Sequence, residues 1–261
     1  MPEVLEVESY RSLAERVVGA TVARGWSDAY AAKKLNSPSQ WARTVRGRRI
    51  TGTSRRGKLM LLETDAAPLG MRFGMTGVLL LDGDAGIDGL FYGPHTFRPT
   101  WVRAGLEFTD GRRLLLHDPR RLARGEIDPS LEDLGPDALS LTKAEFRAVV
   151  TIARGEGPAI KARLLDQSVV AGVGNLLGDE MLFRAGIDPR RPAGLLDPDE
   201  QRRLYQAFTQ TMKTLARRGG SHLGDHMEGR LPGGHCPRDG APMRSATVGG
   251  RTTYWCSQHQ K

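Results

Sequence analysis

The chain begins Met1-Pro2-Glu3, and a small residue at position 2 normally permits removal of the initiator methionine. Pro2 would then carry a secondary α-amine with a pKa of roughly 8, so that an appreciable fraction is unprotonated at neutral pH. Such an amine can attack the C1′ carbon of a sugar and form an iminium. In isolation the same dipeptide is an ordinary processed terminus, and the rest of the chain has to decide between the two. Cys236 and Cys256 both lie in the last 26 residues. Two cysteines are too few for a disulfide framework and here too clustered to look random, which favours a metal site. Asn175 follows Gly172-Val173-Gly174 and opens a helical pattern, so its side chain and neighbouring amides suit either a helix cap or a phosphate, two roles that are compatible.

These groups need elements to hold them. Val4, Val7, Leu13, Val17 and Val18 recur at helical spacing and predict a helix over 3–19, with Pro2 placed where a missing N–H costs nothing. From about 22 to 125 the pattern becomes short β-like runs, Leu59–Glu63, Gly77–Leu81, Gly105–Thr109 and Leu114–His117, separated by Gly, Asp and Arg turns. A Pro- and Asp-containing linker at 128–137 precedes helical segments near 141–154, 159–170, 175–185 and 198–217. The stretch 220–261 is rich in Gly, Pro and Arg, and a metal would supply the stability that its small core lacks. The reading is α+β: an N-terminal helix on an antiparallel β-sandwich (1–128), a helical domain (138–219) and a cysteine-bearing hairpin (220–261).

Lys and Arg number 38 against 30 Asp and Glu, a formal charge of +8. Each cation that neutralises a phosphate releases condensed counterions, so this balance suits a polyanionic partner, although a basic solvated surface reads the same way. No apolar run approaches the roughly 18 residues that span a bilayer, and no basic-then-apolar leader opens the chain. A cytoplasmic, nucleoid-associated protein without a membrane partner is expected.

Three regions, in order, decide the matter. The terminus PEVLEVESYR and Arg55-Arg56-Gly57-Lys58 resemble the start and the lysine-bearing hairpin of the formamidopyrimidine-DNA glycosylase / endonuclease VIII family. Lys161, Leu165-Asp166-Gln167 and AGVGNLLGDE at 171–180 look like its helix-two-turn-helix signature, and Gly250 to Cys256 like its terminal zinc-finger hairpin. The resemblance implies a monomeric bifunctional DNA glycosylase and abasic-site lyase acting on double-stranded DNA with damaged bases or abasic sites. Pro2 would be the Schiff-base nucleophile, Glu3 the acid that assists sugar ring opening, and Lys58 the proton donor for β-elimination. Arg251 would clamp the strand and serve δ-elimination. Lys161 and Asn175 would hold phosphates, Arg103 would face the DNA, and Met75 and Arg120 would fill the gap left by the extruded nucleotide.

The chain also departs from that pattern. Relatives with a finger commonly have four cysteines, whereas this chain offers Cys236, Asp239, Cys256 and His259 at the retained spacing. Both substitutes are accepted ligands, so one structural zinc ion per chain is expected, with His235 an alternative to Asp239. Leu5 stands where Pro is usual, and Leu122 where many relatives have Phe. Only 16 residues separate Gly219 from Cys236, where relatives that excise 8-oxoguanine carry a longer loop. The short loop and Leu122 point away from 8-oxoguanine. The altered finger and Leu5 keep open a damage sensor with little turnover, and the short loop a glycosylase for bulky adducts or crosslinks.

Overall fold

Val4, Val7, Tyr10, Leu13 and Ala14 bury one stripe of α1 (Val4–Ala14), which runs into a 3-10 turn at Glu15–Val17, close to the predicted 3–19 helix. The computed structural model describes residues 1–32, 37–91, 93, 96–150, 152, 155 and 157–261. Two units result, residues 1–2 with 6–131 and residues 3–5 with 132–261.

The first unit follows α1 with β1 (Val22–Ser27), α2 (Pro38–Val45), β2 (Ile50–Arg56), β3 (Leu59–Thr64), β4 (Leu69–Arg72), β5 (Val78–Leu81), β6 (Val102–Phe108), β7 (Arg113–His117) and β8 (Arg124–Ile127). These strands make two four-stranded antiparallel sheets, ordered β1-β6-β7-β5 and β2-β3-β4-β8, the β-sandwich expected. Alternate residues build its core: Met60 and Leu62, Leu79 and Leu81, Leu106 and Phe108, Leu114 and Leu116. Helix α2 falls inside the stretch read as strands. Ser37 caps it by accepting the Gln40 N–H at 3.2 Å, Pro38 begins it, and Trp41 and Val45 bury one face.

The second unit contains α3 (Lys143–Val150), α4 (Ile160–Leu165), α5 (Asn175–Ala185), α6 (Pro198–Arg218) and the hairpin β9 (Arg244–Val248) and β10 (Arg251–Trp255). Of the helix predicted over 141–154, residues 151, 153 and 154 lie outside the described residues. The segment predicted over 159–170 is helical only to Leu165, because the Asp166 side chain turns back to accept the Ser168 N–H. Helix α6 carries both start and stop signals, an Asp197/Glu200 capping box and Gly219 in the left-handed conformation. Its Leu204, Phe208, Met212 and Leu215 face a core shared with α5, which is buried at nearly every position. Among the described residues no helix is long and apolar enough to cross a membrane.

Candidate functional site

The turn before α5 is built around Gln167. Its amide accepts the Gly172 N–H at 3.0 Å and donates to the Leu165 and Val173 carbonyls at 2.7 and 3.0 Å. This presents three backbone N–H groups, of Gly174, Leu176 and Leu177, to the Glu3 carboxylate at 2.8, 2.8 and 3.2 Å. Glu3 is 1% exposed, and a Cβ on Gly174 would lie 2.3 Å from its carboxyl carbon, so only glycine admits it there. The start of α5 thus stabilises negative charge on Glu3 itself. Those amides are taken, and any phosphate role of Asn175 rests on its side chain, which donates to the Thr252 carbonyl at 3.0 Å.

Thr252 follows Arg251, the first residue after a two-residue turn at Gly249-Gly250. Both glycines have positive φ, 57° and 72°, as the tight primed hairpin turn demands. Arg251 is exposed beside that turn.

Two basic residues expected at the DNA are placed inside instead. Lys161 has no exposed surface, and its Nζ lies 2.6 Å from Asp179 Oδ1 and donates to Thr253 Oγ1 at 2.6 Å. Asp179 also receives the buried guanidinium of Arg230, making one carboxylate the centre of two cations. Burial pulls the Lys161 ammonium below its usual pKa, with Asp179 opposing that pull. Its ammonium is held in an internal ion pair. Arg103, 5% exposed, donates to the Asp118 carbonyl at 2.6 Å and to Asp28 at 3.2 Å, so it fastens two loops together.

In the first unit, Lys58 sits in the β2–β3 turn. Arg55 ties that turn to α1 by donating to Glu8 at 2.9 Å and to the Gly57 carbonyl at 3.0 Å. Burial would raise the Glu8 carboxyl, but hydrogen bonds from Arg11 and Arg55 outweigh it and hold Glu8 below the usual range. Pro2 is buried. Met75 (38% exposed) and Leu122 (45%) both project from loops organised by Asp118. That carboxylate, fully buried, accepts the N–H groups of Arg120, Leu122 and Ala123 and the Thr76 hydroxyl. Arg120 is left exposed.

The short 220–235 segment is tied down. Glu180 on α5 accepts the Asp225 N–H at 3.0 Å and pairs with the His226 ring at 2.7 Å, and His226 is fully buried. Burial would raise the Glu180 carboxyl, yet His226, the Asp225 amide and Arg184 bring it down to about 2.

At the carboxyl end, one ligand atom each from Cys236, Asp239, Cys256 and His259 lies within 4.8 Å of the others. His259 Nδ1 is 3.7 Å from Cys236 Sγ and 3.1 Å from Asp239 Oδ2, and Cys256 Sγ is 3.3 Å from Asp239. A zinc tetrahedron of mixed S, N and O donors has edges of about 3.3–3.8 Å by its ordinary bond lengths. The cluster fits a structural zinc ion, with Asp239 rather than His235 as the fourth donor. Phe183 of α5 packs against both buried thiols and anchors the site to the helices.

Glu180, His226, Asp179, Arg230 and Asp118 escaped the sequence reading. Asp118 alone had a local signal, an Asp-Pro-Arg-Arg run of the kind whose carboxylate caps following amides.

A model of the formamidopyrimidine-DNA glycosylase N-terminal domain matches residues 1–125, and a model of the formamidopyrimidine-DNA glycosylase H2TH domain matches 134–226. A formamidopyrimidine-DNA glycosylase of Thermus thermophilus is 36% identical over 98% of this chain and 97% of its own. The crystal structure of Lactococcus lactis Fpg with abasic-site DNA superposes with a TM-score of 0.80 at 26% identity, covering 99% of each chain. The complex of the same protein with oxidised-pyrimidine DNA gives 0.80 at 25% identity, covering 100% of each. The chain belongs to the formamidopyrimidine-DNA glycosylase / endonuclease VIII family of bifunctional DNA glycosylases and abasic-site lyases.

Proposed function

We propose that Pro2, with Met1 removed, performs the family's two-step reaction with Glu3, Lys58 and Arg251, and the observation that carries this is the docking of Glu3 on the start of α5. The Pro2 nitrogen attacks C1′ of the damaged nucleotide, and the C1′–base bond breaks with its electron pair leaving on the base, which takes a proton from solvent. Glu3, held as an acceptor by three N–H groups, takes the amine proton and returns it to the ring oxygen, so that the C1′–O4′ bond breaks and the nitrogen lone pair completes the iminium. Loss of a C2′ proton then expels the 3′ phosphate by β-elimination. Lys58 serves the proton transfers, and Arg251 holds the strand through to δ-elimination. Asn175, Met75 and Arg120 bind the duplex. Lys161 and Arg103 position the hairpin and the gap-filling loops.

Borohydride should trap the processed protein covalently on abasic-site DNA, and Pro2→Gly should greatly weaken the adduct. Equal trapping after chemical blocking of the N-terminal amine would overturn the assignment.

The regions 1–128, 138–219 and 220–261 divide this work into chemistry, DNA binding and hairpin support, in a cytoplasmic, nucleoid-associated protein. The substrate class is double-stranded DNA carrying abasic sites, ring-opened purines or oxidised pyrimidines. The anchored 220–235 segment favours these over 8-oxoguanine, which stays paired and stacked and needs a pocket closed around its few distinguishing atoms. The same anchoring leaves room for bulkier adducts. Single-turnover excision across matched lesion duplexes tests the ranking, and fastest removal of 8-oxoguanine would reverse it.

A further inference from the structure

Tyr30 is 54% exposed, although its neighbours Ala31 and Ala32 are buried at 1% and 2%. The turn that displays it is hydrogen-bonded to its surroundings. Asp28 accepts the Tyr30 and Ala31 N–H groups at 3.0 and 2.8 Å, and its own N–H donates to the Arg103 carbonyl at 2.7 Å. Through the Arg103 guanidinium the turn is fastened to the Asp118 loop. On that loop the Arg121 guanidinium lies 4.9 Å from the centre of the Tyr30 ring.

Arg121 adopts φ +57°, a left-handed conformation that costs energy for any residue with a Cβ. The amides on either side of it, of Arg120 and Leu122, are held by Asp118, so the loop enforces this conformation. A solvated cation–aromatic pair returns little stability. The strain and the exposed ring therefore point to a ligand.

The neighbourhood defines its chemistry. Arg120, Arg121 and Leu122 are consecutive and exposed, and Gly74, next to Met75, packs against Leu122. The surface is cationic with flat and apolar elements, which suits a nucleobase attached to phosphate. Inside a duplex both faces of a base are already stacked. Extruding one nucleotide frees a face only on the orphaned base opposite and on its neighbours, and Leu122 offers no aromatic surface to receive it. We propose that Tyr30, braced by Arg121, is the stacking residue for the base opposite the lesion, supplying the aromatic surface absent at position 122. This rests on the proposal that the Met75 and Arg120 loops face the gap in the duplex.

The test uses the processed full-length protein and a duplex with a tetrahydrofuran abasic analogue opposite 2-aminopurine. Stacking on Tyr30 should keep the bound 2-aminopurine quenched. Tyr30→Ala should raise its emission at saturating protein and weaken binding roughly 5- to 100-fold, the range of one base–aromatic stack. Tyr30→Phe should behave as wild type, and 2-aminopurine placed several pairs away should report no change. Tyr30→Ala with unchanged emission and affinity within twofold would overturn the proposal. Leu122→Ala separates the two readings: if it perturbs the complex while Tyr30→Ala does not, only the stacking residue is wrong. If neither does, the loops do not face the gap and both readings fall.

Discussion

Asp118 in the first unit and Asp179 in the second are both fully buried carboxylates, and they are neutralised in opposite ways. Asp118 takes backbone amides and a hydroxyl, so its loop turns Arg120, Arg121 and Leu122 outward. Asp179 takes Lys161 and Arg230, so two cations of a basic chain are drawn inside. A carboxylate satisfied by neutral donors leaves cations free for a ligand. One satisfied by cations consumes them and fixes the register between α4, α5 and the hairpin. Glu180 is intermediate, with two backbone amides on one side and Arg184 and His226 on the other.

The largest expected effect follows from removing Asp179. Asp179→Ala leaves two buried cations unpaired and should cost about 3–5 kcal/mol, measured by denaturant unfolding. Replacing Lys161, Asp179 and Arg230 together with apolar residues should recover most of that loss. A single substitution costing under about 1 kcal/mol would mean that the cations reach solvent.

Acid should reveal Glu180 next. Its folded pKa of about 2 lies below the unfolded value near 4.5, so its contribution is complete above pH 4.5 and lost as pH falls toward 2. The loss should be about 3 kcal/mol. In Glu180→Gln the stability curve over that window should flatten.

Asp118→Ala should be milder, about 1–3 kcal/mol for the stranded amides. Because the substitution removes one negative charge, simple electrostatics favours tighter DNA binding. Weaker binding to abasic-site duplex is expected nevertheless, since the loop loses its shape; tighter binding would show that charge alone governs this surface.

The smallest effect separates the two classes of cation. Arg251→Ala should lower the slope of log K against log salt by about 0.9, and Lys161→Ala should leave it unchanged. A slope change at Lys161 would restore it to the DNA interface.

Local signals carried much of this architecture. The Val4 to Leu13 stripe, the alternating residues of β5 and β7, and the Asp197 cap with Gly219 state their elements within a few residues. Spacing brought the four metal donors together because cross-linking chemistry depends on it. The internal partners of Lys161 and Arg103 were not legible, because a basic residue reads the same whether it meets a phosphate or a carboxylate, and their carboxylates, Asp179 and Asp28, lie 18 and 75 positions away. The Glu180–His226 pair spans 46 positions, and no local pattern links its members.

The docking of Glu3 also has a consequence in time. Its partners lie 171 to 174 positions further along the chain. During synthesis those amides follow the whole sandwich in chain order, so Glu3 lacks these partners until α5 has been made. That delay is the interval in which an aminopeptidase can reach Met1. Production with a permanent N-terminal tag would forfeit it, giving a protein with an amide where the proposed chemistry calls for an amine.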